Sequence, residues 1–186
     1  MPGSVFTIGH STREAARLVE LLRRNGVDLL VDVRRYPGSR RHPQFNRETL
    51  SATLEAAGVR YRHAPDLGGR RSSPLRDDES SPNDGWRNAS FRAYADHMGT
   101  DRFRAALDRL IADARESTPA ILCAEAVPWR CHRNLVSDAL TARGVEVRHI
   151  LSDAEPAAHE LNPMARVLDG GRVIYPADPA EQRELF

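Results

Sequence analysis

Apolar residues occur along this chain in two alternating patterns, as short unbroken runs and as longer stretches with helical spacing. The short runs are typical of strands that a parallel sheet buries on both faces, and they cover residues 5–8, 29–33, 59–63, 120–123 and 145–150. The helical stretches lie between them, over residues 11–25, 46–58, 91–114 (interrupted at 99–100) and 131–143. This alternation predicts the α/β class, with one domain over residues 1–153 and a mostly parallel sheet of about five strands flanked by helices.

Two of the predicted helices begin with capping signals. Ser11 with Glu14 three residues later fits a capping box. Asn46 is a second candidate cap, with Phe45 and Leu50 placed as a hydrophobic staple. We therefore expect Ser11 to cap the first helix and Asn46 the second.

Two segments lack both patterns. Residues 66–87 are rich in Gly, Ser, Pro and Asp, and they predict either a lid that orders over an anionic ligand and contributes an arginine, or an insertion without a role. Residues 154–186 form a C-terminal tail, in which residues 166–168 and 172–175 flank Asp169-Gly170-Gly171 as a hairpin packed on the domain.

Polar residues follow the predicted strands at their carboxyl ends, where parallel sheets bind ligands. His10 and Ser11 come directly after Gly9 at the end of the first strand. Gly9 would allow a tight turn that exposes the next amides to an anion. All three are candidate substrate-binding residues, although Ser11 also fits a plain helix cap.

The stretch from residue 120 to 136, AILCAEAVPWRCHRNLV, contains both cysteines of the chain. A short strand ends there, a loop with a proline follows, and a helix begins. This geometry collects reactive side chains and binds anions in α/β proteins. The residues that make it a predicted site are Cys123, Glu125, Cys131, His132 and Arg133.

Cys123 and Glu125 are the candidate catalytic residues. Cys123 could be a thiol nucleophile acidified by nearby cations or simply a buried residue at a strand end, and a carboxylate so close would raise its pKa. Glu125 fits a general base or a nucleophile in hydrolysis or group transfer, or a structural partner of an arginine. Arg34 is the candidate clamp for a phosphate or carboxylate, with a salt bridge to Asp32 or Glu125 as the alternative.

Cys131, His132 and Arg133 are predicted to occupy the first turn of a helix and are further candidate substrate-binding residues. A cation at a helix amino terminus opposes the macrodipole, which is easiest to understand if an anion binds there. We assign the ligand contact to Arg133 and packing to Cys131.

A metal site is an alternative use of the two cysteines and His132. Structural zinc is commonly held by Cys-x2–4-Cys spacings and four ligands, whereas here seven residues separate the cysteines and a histidine elsewhere would have to be the fourth ligand. We therefore predict no metal and no cofactor.

Composition limits the classes of protein. Hydrophobic residues make up 40% and charged residues 28% of the 186 residues, and no apolar run approaches the roughly 18 residues of a membrane span. The sequence MPGSVFTIGH has no basic or apolar region of a secretory signal. We expect a cytoplasmic protein without membrane contact, in which Cys123 and Cys131 are not joined by a disulfide.

Positive charge is concentrated in one segment. The 27 basic residues are all arginine, as in GC-rich coding sequences, and the net charge is only +1. Residues 34–71 nevertheless hold nine arginines against three acidic residues. This segment predicts a small anionic ligand, with nucleic acid as an alternative partner or a merely solvated surface as the plainer interpretation. The oligomeric state stays open.

Several of these motifs, in this order, resemble the family called "domain of unknown function 488" (DUF488). They are TIGHS at 7–11, DVR at 32–34 with PGS at 37–39, LGG at 67–69, CAE at 123–125 and CHR at 131–133. The resemblance covers residues 6–150, implies a prokaryotic cytosolic α/β domain, adds Ser39 to the substrate-binding candidates and implies no activity.

A looser similarity is to rhodanese-type sulfurtransferases, which also place Asp-Val-Arg at a strand end and a cysteine before a loop and a helix. Glu125 and Pro128 stand here where small residues would surround a persulfide, which argues against persulfide chemistry.

Three functions follow from these residues. The first is a hydrolase or transferase for a phosphorylated or nucleotide-like substrate, held by Arg34 and Arg133, with Glu125 as acid/base and Cys123 as an auxiliary or covalent group. The second is a non-catalytic module that binds an anion or nucleic acid through residues 34–71. The third is thiol-dependent, sulfurtransferase-like chemistry at Cys123. An enzyme should place Cys123 and Glu125 in one pocket, whereas a binding module should leave them in the core.

Overall fold

A six-stranded sheet forms the centre of the computed structural model, which describes residues 3–178. Its strands are β1 (Val5–Gly9), β2 (Leu29–Asp32), β3 (Arg60–His63), β4 (Pro119–Cys123), β5 (Val147–Ile150) and β6 (Ala157–Ala158). They lie in the order β3-β2-β4-β1-β5-β6, with β1 to β5 parallel and β6 antiparallel to β5. The predicted α/β class with a mostly parallel sheet is confirmed.

Five α-helices in the described part of the chain cover the two faces of this sheet. They are α1 (Ala15–Arg24), α2 (Arg47–Ala56), α3 (Ala89–Met98), α4 (Asp101–Glu116) and α5 (Arg133–Ala142). Side chains alternate between the faces along each strand, so that Leu122 of β4 packs with α1 and α2, whereas Ile121 packs with α3 to α5. The carboxyl ends of the parallel strands lie together at one edge of the sheet, where a ligand site can form.

The predicted capping box at Ser11 is wrong. Ser11 has a φ of 46°, in the left-handed region, and α1 begins only at Ala15, where no side chain caps it. Asn46 does precede α2, but its side-chain oxygen accepts from the amide of Ser39 at 2.6 Å instead of capping the helix. The amide of Ser11 bonds to the carbonyl of Ala124, and the side chain of Asn46 bonds to the loop before α2, so neither residue caps a helix with its side chain.

The C-terminal tail packs on the domain through its described residues. The predicted hairpin forms from β7 (Arg166–Leu168) and β8 (Arg172–Ile174), which are antiparallel. The fully buried carboxylate of Asp138 in α5 accepts hydrogen bonds from the ring of His159, the amide of Asn162 and the hydroxyl of Tyr175. These bonds fix the tail to α5; residues 179–186 of the predicted tail lie outside the described residues.

A buried chain of hydrogen bonds connects β1 to the tail. Thr7 Oγ1 lies 2.7 Å from Nδ1 of His149, whose Nε2 lies 3.0 Å from Nδ1 of His159, and Nε2 of His159 lies 2.8 Å from Asp138 Oδ1. Burial lowers the pKa of His149 to about 4, and the positive charge of Arg133 acts in the same direction. His149 is therefore neutral in the folded protein near pH 7.

This lowered pKa predicts acid sensitivity. The pKa of a histidine in the unfolded chain is about 6.5, whereas that of folded His149 is about 4. Between these pH values the unfolded chain binds a proton at His149 and the folded protein does not, so protonation favours unfolding. The contribution of neutral His149 to the free energy of unfolding is therefore fully present above pH 6.5 and is lost progressively as the pH falls toward 4. Thermal unfolding between pH 7 and pH 5 should show a falling Tm, and the fall should be smaller in a His149→Gln variant. Equal falls in the two proteins would contradict the assignment.

The loop over residues 66–87 is held by polar contacts to α3. Ser73 and Ser81 donate to the carboxylate of Asp96 at 2.8 and 2.5 Å, and the side-chain amide of Asn83 donates to it at 2.8 Å. The ring of Trp86 stacks on Phe91 at 4.9 Å between centroids. The loop is thus anchored to α3, and its closure over a ligand stays a prediction.

Within residues 3–178 no helix has both the length and the apolar character that crossing a membrane would require.

Candidate functional site

A cavity of about 490 Å³ opens at the carboxyl ends of β1, β2 and β4. Seven of the ten residues singled out from the sequence line it: His10, Arg34, Ser39, Cys123, Glu125, Cys131 and His132. The strand-end rule therefore brought together groups that lie far apart in the sequence. Gly9, Ser11 and Arg133 are not among the lining residues.

Two thiols and an imidazole meet on one side of the cavity. Nδ1 of His132 lies 3.6 Å from Sγ of Cys131 and 3.9 Å from Sγ of Cys123. The two Sγ atoms and a ring nitrogen of His132 all lie within 4.8 Å of one another. Neither cysteine forms a disulfide. We call this group the Cys-Cys-His cluster.

The orientation of His132 is fixed by the backbone of β2 and its following loop. Nε2 of His132 lies 3.1 Å from the carbonyl oxygen of Val33, which can only accept, so Nε2 carries the proton and donates. In the neutral ring Nδ1 is then an acceptor, and its lone pair is directed at the two thiols.

The two thiols have opposite pKa shifts. The hydrogen bond to Cys123 and the charge of Arg133 lower the pKa of Cys131 to about 6, although burial acts against them. The hydrogen bond to Cys131 and burial raise the pKa of Cys123 to about 12. Cys131 also accepts from the amide of Arg133, with N and Sγ 3.5 Å apart. The amide that points at Sγ of Cys131 favours a thiolate on this residue over one on Cys123, the thiol that the sequence analysis names as a candidate nucleophile.

The assignment of packing to Cys131 agrees with its position in the hydrophobic core, whereas Arg133, expected to contact the ligand, does not line the cavity. Arg133 is 1% exposed, and its Nη2 donates to the backbone carbonyl of Glu125 at 2.6 Å, away from the cavity. A 3-10 turn covers Pro128–Arg130, and Cys131, which follows this turn, has an extended backbone. The helix α5 therefore begins only at Arg133. Cys131 therefore lines the cavity, and Arg133 supports the loop beneath Glu125.

The predicted anion cradle at Gly9 to Ser11 does not form. The amide of His10 donates to the carbonyl of Cys123 and the amide of Ser11 to that of Ala124, both at 2.9 Å. A Cβ on Gly9 would lie 1.7 Å from the carbonyl oxygen of Glu125, so Gly9 allows two chain segments to touch. The turn holds the Glu125 loop in place, and the two amides that were expected to face an anion are already bonded to that loop and the end of β4.

Arg34 is held by the alternative interaction that the sequence suggested. Its Nε and Nη2 donate to the two carboxylate oxygens of Asp32 at 2.9 and 2.6 Å, and Asp32 also accepts from the hydroxyl of Tyr61 at 2.7 Å. Nη1 of Arg34 lies 3.4 Å from Nε2 of His10, whose pKa burial lowers to about 4. The ion pair of Arg34 and Asp32 thus contributes no net charge to the cavity wall, and Arg34 is not an unpaired cation that could hold an anion by itself.

Unneutralised positive charge comes instead from the loops around the cavity. Arg35, Arg70 and Arg130 line it, together with the single carboxylate of Glu125. Arg35 donates to the carbonyl of Arg70, which joins the loop after β2 to the loop over 66–87. Sequence reasoning did not include the aromatic residue Tyr94 among the candidates, and it considered Arg130 only as one of the cations near Cys123. Arg70 lies in the segment over residues 66–87 that was predicted to contribute an arginine.

Comparison with known proteins gives one match. The chain matches the family described as "Domain of unknown function DUF488" over residues 14–140, more than half of its length. No curated protein and no solved structure matches it. The matched segment includes β2 to β4 and nearly all of α5, and with them Arg34, Glu125 and the Cys-Cys-His cluster. On this match the chain belongs to the DUF488 family.

Proposed function

We propose that this protein is an enzyme that binds a small anionic substrate in the strand-end cavity and carries out hydrolysis or group transfer. The observation that carries the proposal is that Cys123 and Glu125 both line one concave site together with the imidazole of His132. A module that only bound an anion would have no need to gather these groups, and titratable groups that converge in a cleft are typical of active sites.

The charge of the cavity supports an anionic substrate. Arg35, Arg70 and Arg130 contribute three positive charges, and Glu125 contributes one negative charge. Asp32 neutralises the charge of Arg34, so Arg34 adds no net charge to the three of these arginines. A guanidinium forms charge-assisted, bidentate bonds with phosphate and carboxylate groups.

Glu125 is the candidate acid/base in this proposal. It is exposed in the loop after β4, and the buried contacts of its backbone to Gly9 and Arg133 fix the loop. A carboxylate held at a cavity by its backbone can transfer a proton to or from a substrate without a change in the fold.

Turnover can be tested without knowing the substrate. A soluble metabolite extract is incubated with the wild type, with Glu125→Gln and with Glu116→Gln, an exposed glutamate at the end of α4, and compounds lost and gained are measured by mass spectrometry. We expect the wild type and Glu116→Gln to convert the same anionic compound, and Glu125→Gln to do so about 10²–10⁴-fold more slowly. Equal conversion by all three proteins would reject the role of Glu125 as acid/base. No conversion by any of them would reject the proposed enzyme and would favour a binding module.

Arginine variants test the substrate class separately. Arg70→Gln and Arg130→Gln should each raise the KM for the converted anion about tenfold or more, because a hydrogen bond to a charged group is worth about 1.5–3 kcal/mol. Arg109→Gln, on the exposed side of α4, removes the same charge outside the cavity and should leave KM unchanged. Equal KM values for all variants would contradict an anionic substrate.

A further inference from the structure

We propose that Cys123, Cys131 and His132 bind one zinc ion through their two Sγ atoms and Nδ1, with the fourth coordination position open to the cavity. The proposal goes beyond the reaction class, because a metal site can be measured without any substrate. It also departs from the expectation of no metal, which rested on spacing in the sequence.

The two distances from the imidazole nitrogen to the sulfurs are close to those of a tetrahedral zinc site. With Zn–N of about 2.05 Å and Zn–S of about 2.3 Å, a tetrahedral ion places the imidazole nitrogen about 3.6 Å from each sulfur. The observed distances from His132 Nδ1 are 3.6 Å to Cys131 and 3.9 Å to Cys123. Only small shifts are needed to accommodate the ion.

The groups behind the ligands are also those that zinc sites use. Nε2 of His132 donates to the carbonyl of Val33, so the lone pair of Nδ1 already faces the sulfurs. The amide of Arg133 donates to Sγ of Cys131, and such a bond stabilises a thiolate ligand. Both bonds would remain when the ion replaces the thiol protons.

The local backbone explains how neighbouring residues serve one ion. Cys131 is extended, with φ −139° and ψ 150°, whereas His132 already has helical angles, with φ −56° and ψ −16°. This change of direction just before α5 brings the adjacent side chains to the same point. Cys123 reaches that point from the end of β4, so three ligands come from two elements.

The fourth position distinguishes this site from a structural zinc site. Within the described residues the cluster holds three ligand side chains, and all three line the cavity. Structural sites close with four protein ligands, whereas catalytic sites keep one position for water or substrate. Glu125 lines the same cavity. If the proposed function holds, Glu125 would accept a proton from a water bound at the fourth position.

Zinc content is the direct test. The protein is purified without chelator, loaded with zinc, dialysed and analysed by mass spectrometry for metal per chain. We expect one zinc per chain in the wild type and in His42→Gln, whose histidine lines the cavity outside the cluster. Cys131→Ser and His132→Gln should retain none, while circular dichroism verifies that they are folded. Zinc retained equally by the cluster variants would place the ion elsewhere and overturn the proposal.

Cobalt substitution covers the case in which the variants do not fold. Cobalt added to the metal-free wild type should give an intense visible spectrum typical of tetrahedral coordination, with a thiolate-to-cobalt charge-transfer band, and zinc should abolish it. A wild type that gives no such spectrum, keeps no zinc and has two thiols that react freely with a thiol reagent would show that the cluster is a metal-free dithiol. These readouts fail or succeed independently of turnover, so they separate the metal site from the proposed reaction.

Discussion

Replacing Asp32 with alanine is expected to lower the free energy of unfolding by about 3–5 kcal/mol, because it leaves a buried guanidinium without its partner. Asp32 is fully buried and accepts from the amide, Nε and Nη2 of Arg34 and from the hydroxyl of Tyr61. Arg34 is only 6% exposed and cannot turn to water without opening the wall of the cavity. Chemical denaturation of the variant and the wild type measures the difference.

A surface ion pair provides the matched control. Asp153 pairs with Arg17 and Arg24, and all three side chains are more than a third exposed. Asp153→Ala should therefore cost less than about 1 kcal/mol. The double variant Asp32→Leu/Arg34→Met removes both buried charges and should recover much of the stability lost in Asp32→Ala. A loss in Asp32→Ala no larger than that in Asp153→Ala would contradict a desolvated ion pair.

The fold was predictable because its signals are local. The run Leu29 to Val33 is apolar enough to be buried on both faces, and Gly99 with Thr100 divides two helices as expected. The short strand β6 was missed, because its two alanines have no pattern and are defined only by pairing with β5. Strand order likewise depends on pairing between distant segments, which a single sequence does not reveal.

The site was predictable only where strand ends determine it. Successive residues of a helix differ by about 100° in direction, so a shift of two residues in the start of α5 decides whether Cys131 or Arg133 faces the cavity. The amides of His10 and Ser11 appeared free for an anion because their acceptors at the end of β4 lie more than a hundred residues away. Arg130 is in a turn without periodicity, where no pattern indicates direction.

The Cys-Cys-His cluster illustrates why spacing in the sequence was a poor guide to which ligand-type side chains lie together. Short Cys-x2–4-Cys spacings reflect ligands carried by one loop, but Cys123 and Cys131 lie on either side of a loop whose ends meet. The closure of that loop depends on the turn over Pro128–Arg130 and on the bond from Arg133 to the Glu125 carbonyl. The same loop carries the candidate acid/base, so the cluster and Glu125 are positioned together.

Replacing Gly9 with alanine should test this shared positioning. The added Cβ would lie 1.7 Å from the carbonyl oxygen and 2.7 Å from the carbonyl carbon of Glu125, and no rotamer can relieve a collision with backbone. The loop must move, and Arg133, which is almost fully buried, then loses its bond to that carbonyl. We expect a loss of at least about 3 kcal/mol in the free energy of unfolding, at the upper end for overpacking, measured by chemical denaturation.

Gly38→Ala is the control for this change. Gly38 lines the cavity, and a Cβ there would meet no atom within 4 Å. The free energy of unfolding of Gly38→Ala should therefore stay within about 0.5 kcal/mol of the wild type. If Gly9→Ala folds at reduced stability, it should also lose turnover of the anionic substrate, because Glu125 moves with its carbonyl. A Gly9→Ala protein as stable and as active as Gly38→Ala would mean that the close approach of β1 to the Glu125 loop does not hold the site together.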